Sequence, residues 1–189
     1  WMVSAMPGSL GNIIVNLRTI GYPISDEGVV VEHKAMVLNY VEKHEQPNWV
    51  FHMILTDIID GNESRTNDFR EDELIKTGSA VEKDYFIKTI GEDGTDNYDG
   101  FGYDRGHLAP SADFRWNNIA LSESYYYSNM SPQLADFNRE KWAELEGFLR
   151  GYIFRNNRDL YVLTGGVLDE NLPKIEQGIN KVSIPKYYY

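Results

Sequence analysis

The sequence predicts an α+β fold with a central, mostly antiparallel sheet flanked by helices. Two early segments, "VVVEHKAMVLNY" and "NWVFHMILTDII", are rich in β-branched and aromatic residues, which is typical of strands. Two late segments, "DLYVLTGGVL" and "NKVSIPKYYY", indicate further strands. Between the early and the late strands, "NREKWAELEGFLRGYIFRN" predicts the clearest helix of the chain, because Trp142, Leu145, Leu149 and Tyr152 recur at helical spacing.

The remaining segments fall between these elements in a definite order. Residues 1–30 contain many turn residues and are expected to form an irregular N-terminal segment. Residues 60–80 are a polar, charged connection, and "GEDGTDNYDGFG" predicts a Gly/Asp-rich loop. That loop leads into "YDRGHLAPSADF", where the glycine and proline suit a strand end that bends into a loop. We expect the long helix to pack beside this strand end.

Composition limits the classes of protein that the chain can belong to. Its 189 residues and 42% hydrophobic content suit one domain with a substantial core, here assigned to residues 31–189. The absence of cysteine excludes disulfides, thiolate catalysis and Cys-ligated zinc. No apolar run has the length of a membrane span. The chain starts with Trp1, so any targeting signal is out of view.

The charge of the chain is distributed unevenly. The net charge of −11 argues at first against a polyanionic partner. However, residues 57–104 hold 14 acidic and 5 basic residues, whereas residues 105–158 hold 7 basic and 6 acidic ones. The "DRGH" motif therefore opens the only segment that is not acidic, and a local groove there could accept phosphates.

His107 is the first candidate for chemistry. An imidazole is the usual general base near neutral pH, provided that another group fixes its tautomer. Arg105, two residues earlier, could pair with a phosphate. The alternative is that Asp104 and Arg105 form a surface ion pair while His107 only packs, and the four residues alone do not decide between the two interpretations. His52 alternates with apolar neighbours, which favours a packing role.

Three further residues lie downstream of the motif. Asn138 is near the start of the long helix, where asparagine is a favoured N-cap, but its carbonyl is also a hard oxygen ligand suited to Mg²⁺. Glu146 follows eight residues later and stays near the same helix face, where it could hold a metal-bound water or orient Asn138. Asn129 could contact substrate or close a turn.

Arg70, in "DFREDEL", is flanked by acidic residues. Local salt bridges are one explanation and contribute little at a surface. The other is a guanidinium that reaches a scissile phosphate, where charge grows in the transition state. No Gly-x-Ser-x-Gly, phosphate-cradling Gly-Lys loop or dinucleotide fingerprint competes with a phosphodiesterase reading.

Together these pieces resemble one family closely, the DNA/RNA non-specific endonucleases of the ββα-metal (His-Me finger) class. The resemblance covers most of the chain and includes "NWVFHMILT", "DFRED", "YDRGHLAPSADFRW", "YYYSNMSPQLADFNREKWAELE" and "VLTGGVL". The order and spacing of these pieces are far more specific than the four-residue motif. Family members usually continue for tens of residues beyond "VSIPKYYY", so the resemblance implies that C-terminal strands are missing from this sequence.

The resemblance implies a role for each candidate. His107 would be the general base that activates water, and Asn138 the single direct protein ligand of a hydrated Mg²⁺, for which Mn²⁺ could substitute. Asn129 and Glu146 would position the metal, its waters or His107. Arg70 and Arg105 would contact the phosphate, with Asn129 as a further substrate contact. DNA and RNA would be cut with little sequence specificity, leaving 5′-phosphate ends.

Other readings remain open at this stage. The same residues could serve a phosphodiesterase that acts on nucleotides or other small diesters, or a catalytically silent nucleic-acid-binding module. A plasmid-nicking assay separates the first of these from an endonuclease. The resemblance also allows a homodimer, an inhibitor as partner, and a secreted or periplasmic location, none of which the residues themselves indicate.

Overall fold

A four-stranded antiparallel sheet forms the centre of the structure, a computed structural model that describes residues 10–189. Its order is β1-β2-β3-β8, with bounds Val29–Glu32, Met36–Val41, Gln46–Ile54 and Leu160–Thr164. All of β2 and nearly all of β3 is buried, in agreement with their richness in β-branched and aromatic residues. The predicted antiparallel sheet is confirmed, although "VVVEHKAMVLNY" forms two strands, because the chain turns between them at residues 33–35.

Within residues 10–189, three α-helices accompany the sheet: α1 Leu10–Ile20, α2 Asn118–Glu123 and α3 Ala143–Asn156. The first corrects the expectation that residues 1–30 are irregular, while residues 1–9 lie outside the described part of the chain. Ile13 and Leu17 lie four residues apart, so both point to one helix face, and both are buried in the core against the sheet. Complete burial of Leu17 contributes about 1.5–3 kcal/mol to folding.

Two separate two-stranded ribbons complete the regular structure. In the first, β4 (Phe86–Ile90) pairs with β5 (Asp96–Gly100), so the segment expected to be a loop is in large part a hairpin. Its turn is closed by a hydrogen bond from the Gly91 amide to the Thr95 carbonyl at 2.8 Å, and Gly94 supplies a positive φ of 79°. In the second, β6 (Asp104–His107) pairs with β7 (Met130–Gln133).

The C-terminal segment pairs less regularly than predicted. "NKVSIPKYYY" makes only isolated bridges, Gly166 with Tyr188 and Lys174 with Ser183, in place of a continuous strand. Tyr188 nevertheless packs on the helical segment through Phe137 and Trp142. Within residues 10–189, no helix is both long enough and apolar enough to span a bilayer.

Candidate active site

An open cavity of about 880 Å³ lies where the β6–β7 ribbon, the long helical segment and the β4–β5 hairpin meet. His107, Asn138, Glu146 and Arg105 all line it. The structure therefore brings together four of the six residues predicted from the sequence. Asn129 lies behind the cavity wall and Arg70 lies elsewhere.

His107 is the last residue of β6, paired with Met130 of β7. Its ring makes edge-on contacts with Tyr125 at 5.0 Å and Phe69 at 5.7 Å between centroids. Nε2 is enclosed without a hydrogen-bond partner in the described chain, so Nδ1 is the nitrogen that reaches the cavity. Burial, together with the positive charges of Arg65 and Arg105, lowers the pKa of His107 to about 3. The ring is therefore neutral near pH 7, and the lone pair lies on Nδ1 in the tautomer that carries its proton on Nε2; among the described residues no hydrogen bond to Nε2 fixes that tautomer.

Asn129 fixes the backbone that follows His107. It is fully buried, and its Oδ1 accepts from the Ala109 amide at 2.9 Å. Its Nδ2 donates to the carbonyls of Ala109 at 2.9 Å and Ser124 at 2.8 Å. Both ends of the amide are hydrogen-bonded within the protein, which argues against the predicted substrate contact and favours a role in positioning the loop after His107.

Asn138 lies inside a helix and does not cap it. Its amide N–H donates to the Leu134 carbonyl at 2.9 Å, within a π-helical stretch, Phe137–Trp142, that continues into α3. Its side-chain Nδ2 donates to Asp104 Oδ2 at 2.9 Å. A carboxylate only accepts, so this bond fixes the orientation of the amide and leaves Oδ1 without a hydrogen bond among the described residues. A free carboxamide oxygen in an open cavity suits a hard cation.

Asp104 therefore has a structural function that the sequence did not reveal. It also accepts from Arg139 Nε and Nη2, both at 2.8 Å, and thereby ties β6 to the start of the helix. Burial opposes ionisation of Asp104, but the bonds from Arg139 and Asn138 outweigh it and lower the pKa. The Asp104–Arg105 surface pair considered from the sequence is not formed.

Gly106 explains the third letter of the motif. A Cβ on this residue would lie 2.2 Å from the side chain of Gln133 on the paired strand. Any larger residue would therefore require the buried side chain of Gln133 to move. The two flanking residues, Arg105 and His107, depend on this close approach for their placement.

Arg105 is held between two aromatic rings. Its Cζ lies 3.7 Å from the centroid of Phe69 and 4.9 Å from that of Phe86. Nη1 donates to the Tyr127 hydroxyl at 3.3 Å. This arrangement keeps the guanidinium rigid beside His107 and leaves donors for a ligand, which agrees with the predicted phosphate contact.

Arg70 does not reach the cavity, which corrects its predicted place at the phosphate. Its Nη1 donates to Asp68 at 2.8 Å and to the Ser122 carbonyl at 2.9 Å, and its guanidinium lies 4.0 Å from the Tyr126 ring centroid. Arg70 thus ties its loop to α2. The bond to Asp68 is the local salt bridge that the sequence offered as one explanation, whereas the bond to Ser122 depends on the fold.

Arg65 occupies the place that was assigned to Arg70. It lines the cavity, its Nε donates to the Tyr125 hydroxyl at 3.0 Å, and it is the leading positive charge acting on His107. Sequence reasoning missed it because "ESRTNDFRED" contains two arginines in a stretch without regular secondary structure. The available signal was that Arg70 is followed directly by Glu71 and Asp72, whereas no acidic residue is adjacent to Arg65.

Glu146 ends a chain of charged side chains that starts in the sheet. Its Oε2 lies 3.6 Å from Arg150 Nη2, and Arg150 Nη1 donates to Asp113 Oδ1 at 2.9 Å. The other oxygen of Asp113 lies 3.0 Å from His52 Nε2 on β3. His52 is fully buried, as its alternating pattern predicted. Burial raises the pKa of Glu146 to about 7, although Arg150 acts in the opposite direction.

The cavity is positively charged in an acidic protein. Four arginines line it, against two carboxylates, whereas the chain as a whole carries −11. The arginines are Arg65, Arg105, Arg139 and Arg150, and the carboxylates are Asp104 and Glu146. A phosphate group is therefore attracted to this cavity although the whole molecule repels polyanions.

The arrangement of ribbon, loop and helix around this cavity defines a ββα-metal nuclease fold. Comparison with protein families matches residues 16–189 to the DNA/RNA non-specific endonucleases. The chain belongs to that family, which consists of metal-dependent nucleases.

Individual relatives agree with this placement. Human mitochondrial endonuclease G is 29% identical over 82% of this chain, and the mitochondrial nuclease of Saccharomyces cerevisiae is 34% identical over 77%. The matches cover 51% and 40% of those proteins, so the chain spans about half the length of the curated relatives it matches. A chain of the crystal structure of the EndoG/EndoGI complex superposes with a TM-score of 0.73 at 26% identity, covering 97% of this chain and 73% of that one.

Proposed function

We propose that this chain is a metal-dependent endonuclease that hydrolyses the phosphodiester bonds of DNA and RNA with little sequence specificity. The observation that carries the proposal is the single cavity in which neutral His107, the free Oδ1 of Asn138 and two arginines face the same space. Base, cation ligand and phosphate clamp are the three parts that phosphodiester hydrolysis needs. Membership of the endonuclease family supports the same reaction.

Arg65 and Arg105 bind the non-bridging oxygens of the scissile phosphate. Both are held by hydroxyl groups, of Tyr125 and Tyr127, and Arg105 also by its two aromatic neighbours. Because they are fixed before substrate arrives, they stabilise the charge that grows on phosphorus oxygens without reorganising. Their contacts address the phosphate and not the base, which accounts for weak sequence selectivity.

His107 removes the proton from the attacking water. Its Nδ1 accepts that proton while the water oxygen bonds to phosphorus and the P–O3′ bond breaks, which leaves a 5′-phosphate. The departing 3′-oxygen takes a proton from solvent. Burial and, after it, the charges of Arg65 and Arg105 lower the pKa of His107 to about 3, which makes it a weak base in the free protein; the negative phosphate offsets the arginine part of this shift. Substrate binding thus strengthens the base where it is needed.

Asn138 would hold the cation through Oδ1, with Mg²⁺ as the proposed ion and Mn²⁺ as a substitute. Within residues 10–189, no group of three or more acidic, histidine or cysteine side chains is close enough to form a metal site. A single protein ligand suits Mg²⁺, which keeps most of its waters. When bound, the ion supplies a Lewis acid that neutralises the departing oxygen. Glu146, 3.6 Å from Arg150, lies on the same cavity wall and would orient the water ligands.

The test is nicking of closed circular plasmid at low salt, with Mg²⁺ or with chelator, by the wild-type chain and His107→Ala. We expect Mg²⁺-dependent nicking that falls by at least about 10²-fold in the variant, the lower range for loss of a general base. Arg155→Ala, an exposed arginine outside the cavity, serves as the control and should nick normally. Metal-independent nicking, or a folded His107→Ala variant with full activity, would refute the mechanism.

A further inference from the structure

The β4–β5 hairpin forms one wall of the cavity. Its register pairs Phe86 with Gly100 and Lys88 with Tyr98. Because side chains alternate along a strand, these four residues share one face of the hairpin. Three of them, Phe86, Tyr98 and Gly100, line the cavity. Of the hairpin's side chains, the mechanism described above uses only Phe86, which supports Arg105.

Tyr98 presents an open aromatic surface at this wall. Its side chain is 58% exposed although it lines a cavity, and its ring meets Phe86 edge-on at 5.2 Å between centroids. Gly100, two residues along on the same face, leaves open space, since a Cβ there would meet no atom within 4 Å. Phe86 supports the ring and Lys88 Nζ lies 5.7 Å from its centroid, while the space on the Gly100 side is free.

Tyr98 is also close to the phosphate clamp. The Phe86 ring that supports Tyr98 packs against Arg105, whose Cζ is 4.9 Å from the ring centroid. One aromatic ring therefore separates Tyr98 from the guanidinium that binds the scissile phosphate. An aromatic platform next to a phosphate-binding cation is the arrangement by which proteins hold a nucleotide of an unpaired strand.

The charge of the hairpin disfavours a duplex at this wall. It carries four carboxylates against one lysine, Lys88, which is already paired with Asp96 at 2.7 Å. The carboxylates are Glu92, Asp93, Asp96 and Asp99. The second strand of a duplex would bring its phosphates towards these acids. An unpaired strand can instead turn a base towards Tyr98 and keep its phosphate at Arg105.

We propose that Tyr98 stacks on an unpaired base beside the scissile phosphate, so that this site cleaves single-stranded nucleic acid in preference to duplex. The proposal rests on the nuclease function proposed above and adds a specificity determinant to it. Tyr98 is a substrate contact and takes no part in proton transfer. Its removal therefore changes substrate preference and KM, while turnover of bound substrate is retained.

The first test compares cleavage of one oligonucleotide sequence as a single strand and as a duplex. Tyr98→Leu is expected to lower kcat/KM on the single strand by about 5- to 100-fold, the measured range for loss of one stacked base, mainly through KM. Cleavage of the duplex should change less than about twofold, and Tyr98→Phe should behave as wild type on both, because phenylalanine retains the π face. Tyr187→Leu, which makes the same exchange at an exposed tyrosine outside the cavity, is the matched control.

The second test needs no catalysis. A single strand that contains 2-aminopurine is titrated with the His107→Ala protein, with and without Tyr98→Leu, and base stacking is read from fluorescence quenching. Quenching that requires Tyr98 supports the proposal even if no substrate is cleaved, in which case the nuclease function alone has failed. Three outcomes would overturn the stacking proposal: equal quenching with and without Tyr98, no binding of the oligonucleotide, or an equal loss of kcat/KM on single strand and duplex in Tyr98→Leu. The nuclease function would still stand wherever cleavage is seen.

Discussion

Replacement of Asp104 by alanine is expected to weaken cation binding although Asp104 is not a proposed ligand. Its carboxylate accepts from Asn138 Nδ2 at 2.9 Å and thereby directs Oδ1 into the cavity. Without this acceptor, the amide can rotate and present its NH₂ group to the cation. Groups that orient a metal ligand are typically worth about 10- to 100-fold in affinity. That range corresponds to about 1.4–2.8 kcal/mol, which agrees with one hydrogen bond to a charged group.

Arg139→Ala supplies the matched control. It removes both Arg139 bonds to Asp104 but keeps the bond between Asp104 and Asn138. The Arg139 side chain is 70% exposed, so its ion pair contributes little to stability. We expect its cation affinity to stay within about threefold of wild type, since only the exposed pair is lost.

Isothermal titration of each protein with Mn²⁺ and Mg²⁺ measures the effect, and far-UV circular dichroism checks that each variant is folded. The reasoning predicts weak binding in Asp104→Ala and near-normal binding in Arg139→Ala. Equal weakening in both variants would show that the ion pair, and not the orientation of the amide, supports the site. Unchanged affinity in a folded Asp104→Ala protein would remove Asn138 Oδ1 as the ligand.

Three further predictions concern residues in and around the cavity. Arg65→Ala should lower kcat/KM by about 10²- to 10³-fold, as expected for a lost transition-state donor. Arg70→Ala should change kcat/KM only a few-fold and lower the free energy of unfolding by about 1–2 kcal/mol. Steady-state kinetics and urea denaturation measure these effects, and the reverse pattern would place Arg70 at the phosphate. Asn129→Ala should lower kcat with little change in KM, because Asn129 positions the loop after His107, so a rise in KM alone would indicate a substrate contact. His107 has a depressed pKa of about 3, so it contributes stability that is present above its unfolded value near 6.5 and is lost as pH falls towards 3. As pH falls from 6 to 4, the free energy of unfolding of wild type should therefore decrease more steeply than that of His107→Gln, by about 1.4 kcal/mol for each pH unit. Parallel pH profiles of the two proteins would show that His107 is protonated in the folded state.

The sequence predicted the parts of the site that lie on regular elements. His107 ends a strand, and Asn138 and Glu146 share a helix, so periodicity placed both on the cavity wall. Arg70 was assigned wrongly because residues 60–80 are largely irregular, and no pattern shows which way a side chain points there. The burial of Asn129 depends on the backbone of Ala109 and Ser124, a contact that only the fold creates.

Two elements of the fold were missed for different reasons. The first helix lies between segments rich in glycine and proline, and its apolar face is short. These flanking turn residues led to the prediction of an irregular segment in place of a helix. The β4–β5 hairpin was read as a loop because its turn and second strand are rich in glycine and aspartate, residues that strands usually avoid. Cross-strand contacts such as Lys88 with Asp96, and Phe86 with Tyr98, compensate for these low propensities.

The carboxylate of Asp113 has a consequence for how this protein can change over time. Its two oxygens contact different parts of the molecule: Oδ2 lies 3.0 Å from Nε2 of His52 in the sheet, and Oδ1 accepts from Arg150 beside the cavity. A mutation at any of these three sites leaves a charge or a polar atom in the interior without its partner, which typically costs several kcal/mol. Positions 52, 113 and 150 are therefore expected to covary among homologous sequences, and single exchanges between relatives should fail where the matched triple exchange succeeds. Substitutions in the interior of the sheet and at the rim of the cavity are therefore coupled through Asp113.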